Sequence, residues 1–194
     1  MNAGNIREKF GHQYKVNNDT YTMGVHHLLS DHIAKRFEGK QNVIDTNTGA
    51  GTTAIALAKY AASVTSVDIN SEHLAQAEEN ARIAAVADKI TFVHADILSF
   101  LERTDRTFDA ALLDPDWAAE GEEKTTHVTS LEYMQPHGQR LFELVSTHTE
   151  NICFRLPKEI EKEALKDLPP HEIEPLMLDG ELKFYCAWFG SLMK

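Results

Sequence analysis

The chain is organised around Asn42-Val43-Ile44-Asp45-Thr46-Asn47-Thr48-Gly49-Ala50-Gly51. A short apolar run with β-branched residues ends at an acid and then turns through two glycines. A helical pattern of alanine, isoleucine and leucine follows from Thr52. A strand, a glycine turn and a helix bring a ligand close to the backbone, because glycine lacks the Cβ atom that would block it. The first N–H groups of the helix then point at the ligand.

A second β-rich run strengthens this interpretation, since a Gly-x-Gly turn alone is a weak signal. Ser63 to Asp68 reads Ser-Val-Thr-Ser-Val-Asp and ends in a carboxylate. Asp68 follows Gly49 by 19 residues, the offset at which nucleotide-binding folds place an acid on the ribose hydroxyls. The two strands and the helix between them predict a βαβ unit that binds a nucleotide.

Asp45, the acid before the glycines, helps to decide which nucleotide binds. Dinucleotide sites read Gly-x-Gly-x-x-Gly or end in alanine, and Ala54 satisfies the looser form. Asp45, however, would repel a pyrophosphate, whereas its carboxylate can reach the cationic end of S-adenosylmethionine. We therefore expect S-adenosylmethionine as the cofactor, with NAD as the lesser alternative.

Four acids fall at or near the carboxyl ends of predicted strands, where open α/β sheets bind their ligands. We expect Asp45 near the methionine amino group, through water or backbone, and Asp68 on the ribose, with Ile69 packed on the adenine. Asp96 would accept a hydrogen bond from the adenine amino group. Any one of these acids is alternatively a helix cap or a loop residue. The predicted cofactor-binding residues are Asp45, Asn47, Thr48, Gly49, Gly51, Thr52, Asp68, Ile69, Asp96 and Ile97.

The fourth acid opens Asp114-Pro115-Asp116-Trp117, here named the acceptor loop, directly after an apolar strand. An amine that receives a methyl group must aim its lone pair at the methyl carbon, and acceptors fixed on its N–H groups orient it. The Asp114 carboxylate and the Pro115 carbonyl are suitable acceptors, and Trp117 offers a flat face to an aromatic base. These three are the predicted catalytic residues. The alternative is a turn with a core tryptophan.

At these residues the chain resembles class I S-adenosylmethionine-dependent methyltransferases, and more narrowly the trimethylguanosine synthase family of RNA cap guanine-N2 methyltransferases. The likeness covers about residues 25–194. It implies methyl transfer from S-adenosylmethionine, with Trp117 in the position of the family's tryptophan that stacks on guanine. The motifs that carry it are Val43-Ile44-Asp45, Gly49-Ala50-Gly51, Val67-Asp68-Ile69, Ala87-Asp88-Lys89-Ile90, Leu156-Pro157 and Ala187-Trp188-Phe189-Gly190.

The acceptor loop departs from the family's Ser-Pro-Pro-Trp. Asp114 replaces the serine, Asp116 the second proline, and Ala118-Ala119 a pair of glycines after the tryptophan. Carboxylates stand at positions 114, 116, 120, 122 and 123, without a basic residue among them. Such acids suit a cationic methylated guanine but repel cap phosphates. The sequence therefore favours methylation of an amine on a guanine-type base in RNA over cap specificity.

Composition and charge limit the class of protein. The chain has 194 residues, 42% hydrophobic and 25% charged, which is typical of one globular α/β domain. Its net charge of −11 argues against tight non-specific binding of nucleic acid, and we expect neither DNA nor a membrane as a partner. No run approaches a membrane span and no signal peptide opens the chain. Two cysteines, Cys153 and Cys186, predict reduced core thiols in a cytoplasmic protein.

Strand and helix patterns alternate, which predicts a parallel sheet with helices on both faces. Asp179-Gly180 is a hairpin signal that makes the last of seven strands antiparallel. The predicted fold class is α/β, a Rossmann-like class I methyltransferase with a seven-stranded, mostly parallel sheet. The predicted domains are an N-terminal arm and helix over 1–40 and a methyltransferase domain over 41–194.

Several local predictions complete the fold. Residues 1–24 lack helical periodicity until Tyr21, and a helix is predicted over 26–37. A further helix is predicted to begin at Pro157. Histidines at 26, 27 and 32 lack the spacing of a metal site, so no metal is expected. Residues 1–40 carry a balance of +2 and are the better docking surface for an anionic substrate, unless they form a solvated helical face.

Three functions remain open on this evidence. The first is an N-methyltransferase that acts on an exocyclic amine of a nucleobase in RNA. The second is a methyltransferase for a small molecule or a protein nitrogen, which the acidic surface favours. The third is a non-catalytic, nucleoside-binding partner subunit, in which Asp116 marks a lapsed site. The oligomeric state is not predicted.

Overall fold

The computed structural model describes residues 3–117 and 128–194. The chain forms two units, residues 1–100 and 101–194. The alanines at 118 and 119 and the carboxylates at 120, 122 and 123 lie outside the described residues. The division into an arm over 1–40 and a domain over 41–194 stays a prediction.

The first unit contains a parallel sheet of three strands, β1 (Asn42–Asp45), β2 (Ser63–Asp68) and β3 (Ile90–His94), in the order β3-β2-β1. Nearly all residues of β1 and β2 are buried, and most of their side chains are small or apolar. Asp45 pairs in register with Ser66 and Asp68 pairs with His94. Both acids therefore lie at the carboxyl ends of parallel strands, as the sequence predicted.

Helices accompany these strands, and side chains cap several of them. The cap of α5, Asn70, accepts hydrogen bonds from the backbone N–H groups of Glu72 and His73. Asn17 and Thr20 form a capping box at α2. The helices are α1 (Ala3–Phe10), α2 (Asn18–Met23), α3 (His27–Lys35), α4 (Thr52–Tyr60), α5 (Ser71–Ile83) and α6 (Ile97–Arg103), which begins in the first unit.

The expectation that residues 1–24 lack helices up to Tyr21 was wrong, because α1 and α2 lie there. Each helix is short, at eight and six residues, so periodicity along the sequence is weak. Ile6, Phe10 and Tyr14 are buried, so contacts with the rest of the unit stabilise this segment.

The second unit contains α7 (Gly138–Ser146) and four strands, β4 (Ala110–Leu113), β5 (Ile152–Pro157), β6 (Glu172–Leu178) and β7 (Glu181–Trp188), in the order β4-β5-β7-β6. β4 and β5 are parallel, whereas β7 is antiparallel to both of its neighbours. Asp179 and Gly180 have φ angles of 52° and 80°, as a tight two-residue hairpin requires. The predicted fold class, a seven-stranded and mostly parallel sheet with an antiparallel last strand, is confirmed.

The helix predicted to begin at Pro157 was wrong. Pro157 is the last residue of β5 and pairs with Phe184 of β7. Only a short 3-10 turn, Lys162–Leu165, forms in the segment that follows. A proline at the first position of a helix and a proline at the end of a strand give the same local signal. Pairing with β7 decides between them.

The core of the second unit includes both cysteines, which are free and fully buried. Trp188 is also fully buried and its Nε1 donates to Glu174 Oε2 at 2.9 Å. None of the described helices has the length and apolarity needed to cross a membrane.

Candidate functional site

Glycine is favoured at the two positions between β1 and α4 for different structural reasons. Both have positive φ, 51° at Gly49 and 78° at Gly51, where glycine is favoured. A Cβ on Gly51 would lie 2.8 Å from the Cβ of Ala77, so this glycine lets the turn pack against α5. A Cβ on Gly49 would meet no atom within 4 Å. Gly49 thus leaves open space beside the turn, whereas Gly51 packs against α5; that both glycines let a ligand approach stays a prediction.

The Asp68 carboxylate fastens the glycine turn to the end of β2. Its Oδ2 accepts from the backbone N–H of Gly49 at 2.8 Å, and its Oδ1 accepts from that of Asn70 at 2.8 Å. Nδ1 of His73 lies 3.6 Å from Oδ2. The 19-residue spacing read from the sequence thus corresponds to a direct hydrogen bond. A carboxylate oxygen can accept more than one hydrogen bond, so the predicted contact of Asp68 with a ribose is compatible with these two bonds.

Asp45 is completely buried at the end of β1. Its Oδ2 accepts from Ser66 Oγ at 2.6 Å, and that hydroxyl lies 2.7 Å from Thr48 Oγ1. A carboxylate without access to solvent reaches a ligand only through another group. This hydroxyl chain leads from Asp45 to Thr48, at the start of the glycine turn.

An exposed apolar side chain stands beside Asp68. Ile69 is 68% exposed, and its carbonyl oxygen lies 3.0 Å from His94 Nε2. A large apolar side chain in water is a ready surface for the face of an adenine ring, which is the role predicted for it.

The remaining predicted cofactor residues have mixed surroundings. Asp96 Oδ1 accepts from the backbone N–H of Ser99 at 2.8 Å, so this acid caps α6, which is the alternative left open from the sequence. Ile97 is buried. Asn47 is half-buried and its Oδ1 accepts from Thr46 Oγ1 at 3.2 Å. Thr52 is half-buried and begins α4, whose N-cap, a glycine, has no side chain to cap the first N–H groups.

Sequence reasoning missed Asn80, which joins the N-terminal arm to the glycine turn. It is fully buried, and its Nδ2 donates at 2.9 Å to the carbonyl oxygens of both Lys15 and Ala50. Its Oδ1 accepts from the backbone N–H of Lys15 at 2.6 Å. Thr20 Oγ1 adds a hydrogen bond of 2.7 Å to Gln76. The available signal was an amide on the apolar face of α5.

In the second unit, a buried ion pair underlies the acceptor loop. Arg155 Nη1 on β5 donates to Asp114 Oδ2, and the side chains are 6% and 16% exposed. Burial raises the pKa of Asp114 above its ordinary value, although the Arg155 guanidinium beside it acts in the opposite direction. Sequence reasoning missed Arg155. Its signal was a single cation within the apolar run Ile-Cys-Phe-Arg-Leu-Pro.

The tryptophan of the loop is half-buried and lies against the same arginine. The guanidinium carbon of Arg155 is 4.9 Å from the ring centroid of Trp117 and 4.5 Å from that of Phe184. The two ring centroids are 6.2 Å apart. The distances are those of cation–π contacts. Trp117 is therefore held by a charged neighbour and is not a fully buried core residue.

Backbone pairing fixes the rest of the acceptor loop. Asp116 exchanges two backbone hydrogen bonds with Gln135, at 2.8 and 2.9 Å, and its side chain is exposed. Pro115 is buried. In the parts of the chain that the structure describes, no three His, Cys, Asp or Glu side chains lie close enough to hold a metal.

Comparison with protein families gives a match over most of the chain. The model described as RNA cap guanine-N2 methyltransferase matches residues 40–192.

Curated relatives are more distant. An uncharacterised RNA methyltransferase of Mycoplasma mobile is 28% identical over 115 residues, which cover 59% of this chain and 30% of that protein. A release factor glutamine methyltransferase of Flavobacterium psychrophilum is 37% identical over 97 residues, which cover 49% of this chain and 33% of that protein. The chain thus spans about a third of the length of these relatives.

Solved structures with the same fold include methyltransferases. A proposed methyltransferase of Porphyromonas gingivalis W83 superimposes with a TM-score of 0.76 at 16% identity, covering 96% of this chain and 47% of that one. A proposed methyltransferase of Streptococcus mutans, in complex with SAH, gives a TM-score of 0.58 at 14% identity, covering 84% and 95%. These likenesses bear on the fold.

Proposed function

Because the chain belongs to the RNA cap guanine-N2 methyltransferase family, we propose that it transfers a methyl group from S-adenosylmethionine to an exocyclic amine of a guanine-type base in RNA. The observation that carries this proposal is the acceptor loop. A carboxylate and an aromatic ring stand three residues apart after β4, and both contact the same buried cation. A hydrogen-bond acceptor for an amine and a face for a base are thereby present together.

The first unit supports the choice of cofactor. Gly49 leaves an open position in the turn, and Ile69 exposes an apolar surface next to Asp68. The open turn lets a nucleoside approach the backbone of the chain. Ile69 and Asp68 fit its adenine and its ribose. The buried Asp45 would favour the positive charge of the methionine end through Thr48. Asn47, Gly51, Thr52, Asp96 and Ile97 remain predicted parts of this site.

The chain's own contribution to the reaction is orientation. S-adenosylmethionine, when bound, supplies a methyl group on a sulfonium, which is already reactive toward an amine. The Asp114 carboxylate and the Pro115 carbonyl would accept the N–H groups of the acceptor amine and so aim its lone pair. Trp117 would hold the base by its ring face. The ionised Asp114 carboxylate is the stronger acceptor; burial raises its pKa, and the contact with Arg155 acts against that shift.

A second candidate is methylation of a protein nitrogen. The relative from Flavobacterium psychrophilum is a release factor glutamine methyltransferase, and the net charge of −11 is unfavourable for RNA phosphates. In that case Asp114 and Pro115 would orient an amide nitrogen by the same hydrogen bonds.

A methyl-transfer assay separates these candidates. S-adenosylmethionine with a radiolabelled methyl group is incubated with the chain and with total RNA, protein extract or small metabolites. Label in the RNA fraction supports the proposal, and label in protein supports the second candidate. Asp114→Ala should abolish transfer and leave cofactor affinity unchanged. Cofactor binding without transfer to any fraction would indicate a non-catalytic subunit, and calorimetry without heat from S-adenosylmethionine or SAH would overturn the cofactor.

A further inference from the structure

Arg155 is a buried cation in a strand that is otherwise apolar. It is 5% exposed and lies in β5, where its neighbours along the chain are Phe154 and Leu156. Removing a guanidinium from water is strongly unfavourable before any contact offsets it. A purely structural position in this strand would be filled more favourably by an apolar side chain. The contacts of Arg155 therefore indicate a role beyond stabilising the strand.

Those contacts all lead to the acceptor loop or to the ring beside it. The guanidinium donates to Asp114 Oδ2 and lies over the rings of Trp117 and Phe184. One rigid, planar group thus touches both the predicted acceptor carboxylate and the predicted stacking ring. Lysine offers no planar fork of donors and could not make both contacts in the same way.

Two buried donors add a second observation. Nε of Arg155 and Nε1 of Trp117 are inaccessible to water, and neither has a hydrogen-bond partner within the described ranges 3–117 and 128–194. Buried donors in folded proteins are almost always satisfied. Within these ranges, the two side chains are therefore held by the packing of the guanidinium against the indole ring.

The ionisable groups named below are thiols and a carboxylate, so Arg155 is the cation that balances the charge of Asp114. Cys186 is the cross-strand partner of Arg155 in β7, and Cys153 lies two residues before it in β5. Burial and the neighbouring Cys186 thiol raise the pKa of Cys153 well above its ordinary value, so this thiol carries no negative charge. The Asp116 carboxylate, two residues beyond Asp114, adds negative charge next to the pair.

We propose that Arg155 is the positioning residue of the acceptor site: it fixes the Asp114 carboxylate and the Trp117 ring in one arrangement, so that an acceptor base is held at its amine and at its ring face together. The inference rests on the function proposed above. It assigns to β5 a determinant of acceptor geometry.

The test compares three substitutions at this pair. Arg155→Met keeps the length of the side chain and removes its charge, Arg155→Lys keeps the charge and removes the planar fork, and a double variant, Asp114→Asn with Arg155→Met, removes both charges. Arg140→Met is the matched control, because Arg140 pairs with Glu102 in an exposed ion pair at 2.8 Å. Exposed pairs of this kind contribute little to stability.

Methyl transfer gives the first measurement. Arg155→Met should lower kcat/KM about 100-fold, the scale expected when a reacting group is misplaced by an ångström, while cofactor affinity by calorimetry stays within about twofold. The acid limb of its pH–rate profile should move to higher pH, because Asp114 loses the cation that favours its ionised form. Arg155→Lys should restore the limb but not the full rate.

NMR gives a second measurement that needs no acceptor. In Arg155→Met, the carboxyl of Asp114 should titrate at higher pH and the indole N–H resonance of Trp117 should shift, whereas Arg140→Met changes neither. The double variant should remain folded, which separates positioning from loss of structure. Unchanged Asp114 titration and an unchanged Trp117 resonance in Arg155→Met would overturn the inference. If Arg155→Met shows both effects but the wild-type protein methylates no RNA, the proposed substrate is overturned and the positioning role of Arg155 stands.

Discussion

The side-chain amide of Asn80 donates to the carbonyl oxygen of Ala50 at 2.9 Å, so helix α5 holds the glycine turn directly. The same amide bonds to the backbone of Lys15. A single buried side chain therefore links the N-terminal arm to the turn on which cofactor binding is predicted to depend.

Replacing Asn80 by alanine should weaken both the fold and cofactor binding. The change leaves the buried carbonyl of Ala50 without this partner, at a cost of about 1–3 kcal/mol, and removes two part-buried hydrogen bonds to the backbone of Lys15. We expect a lower free energy of unfolding in urea and weaker binding of S-adenosylmethionine by calorimetry. Thr20→Val is the control, because it removes the arm's hydrogen bond to Gln76 and leaves the bond to Ala50. Equal cofactor affinity in both variants would contradict a role for the link.

The two glycines of the turn should respond differently to alanine. Gly51→Ala places a Cβ against Ala77 in a backbone with positive φ and should lower the free energy of unfolding by about 1–3 kcal/mol. Gly49→Ala should lower the free energy of unfolding only by the cost of a left-handed backbone conformation, about 1–2 kcal/mol. Its main effect should be weaker cofactor binding. Adding Ala77→Gly should recover stability in the first variant only. Recovery in both variants would show that packing is not the difference between them.

Ile69 provides a test of the adenine contact. Because the side chain is 68% exposed, Ile69→Ser should leave thermal stability unchanged. Loss of apolar area against adenine should weaken cofactor binding about tenfold, corresponding to roughly 1.4 kcal/mol. Ile83→Ser, at an exposed position on α5, is the matched control and should not change affinity. If the two serine variants bind equally well, Ile69 does not contact the adenine.

Tyr14 predicts how stability depends on alkaline pH. Burial raises the pKa of Tyr14 to about 12, above its ordinary value of 10.0. Below pH 10 the hydroxyl is protonated in both the folded and the unfolded chain, so its contribution is fully present. As pH rises from 10 to about 12, the unfolded chain loses this proton first, and stability falls. Tyr14→Phe should remove this part of the decline. Urea unfolding at pH 9 and pH 11 measures it, and an identical decline in both proteins would refute the assignment.

Much of the fold was predictable because it depends on neighbours along the chain. The limits of β2, Ser63–Asp68, match the run read from the sequence, since β-branched and apolar runs bounded by turn residues mark strands locally. The hairpin at Asp179-Gly180 required only a pair of residues that tolerate positive φ. The spacing of Asp68 from Gly49 predicted a ribose contact, which stays a prediction; the structure shows that the two residues are joined by a hydrogen bond.

Other features depended on residues far apart in the sequence. Asn80 contacts Lys15 across 65 positions, and Arg155 contacts Asp114 across 41. No local pattern indicates such partners, and Pro157 resembles the start of a helix unless its pairing with β7 is taken into account. The sequence by itself determined the order of strands and turns, because backbone propensity is local. Only the tertiary structure decided which polar groups meet, because a buried amide or guanidinium takes its hydrogen bonds from whatever the folded chain brings beside it.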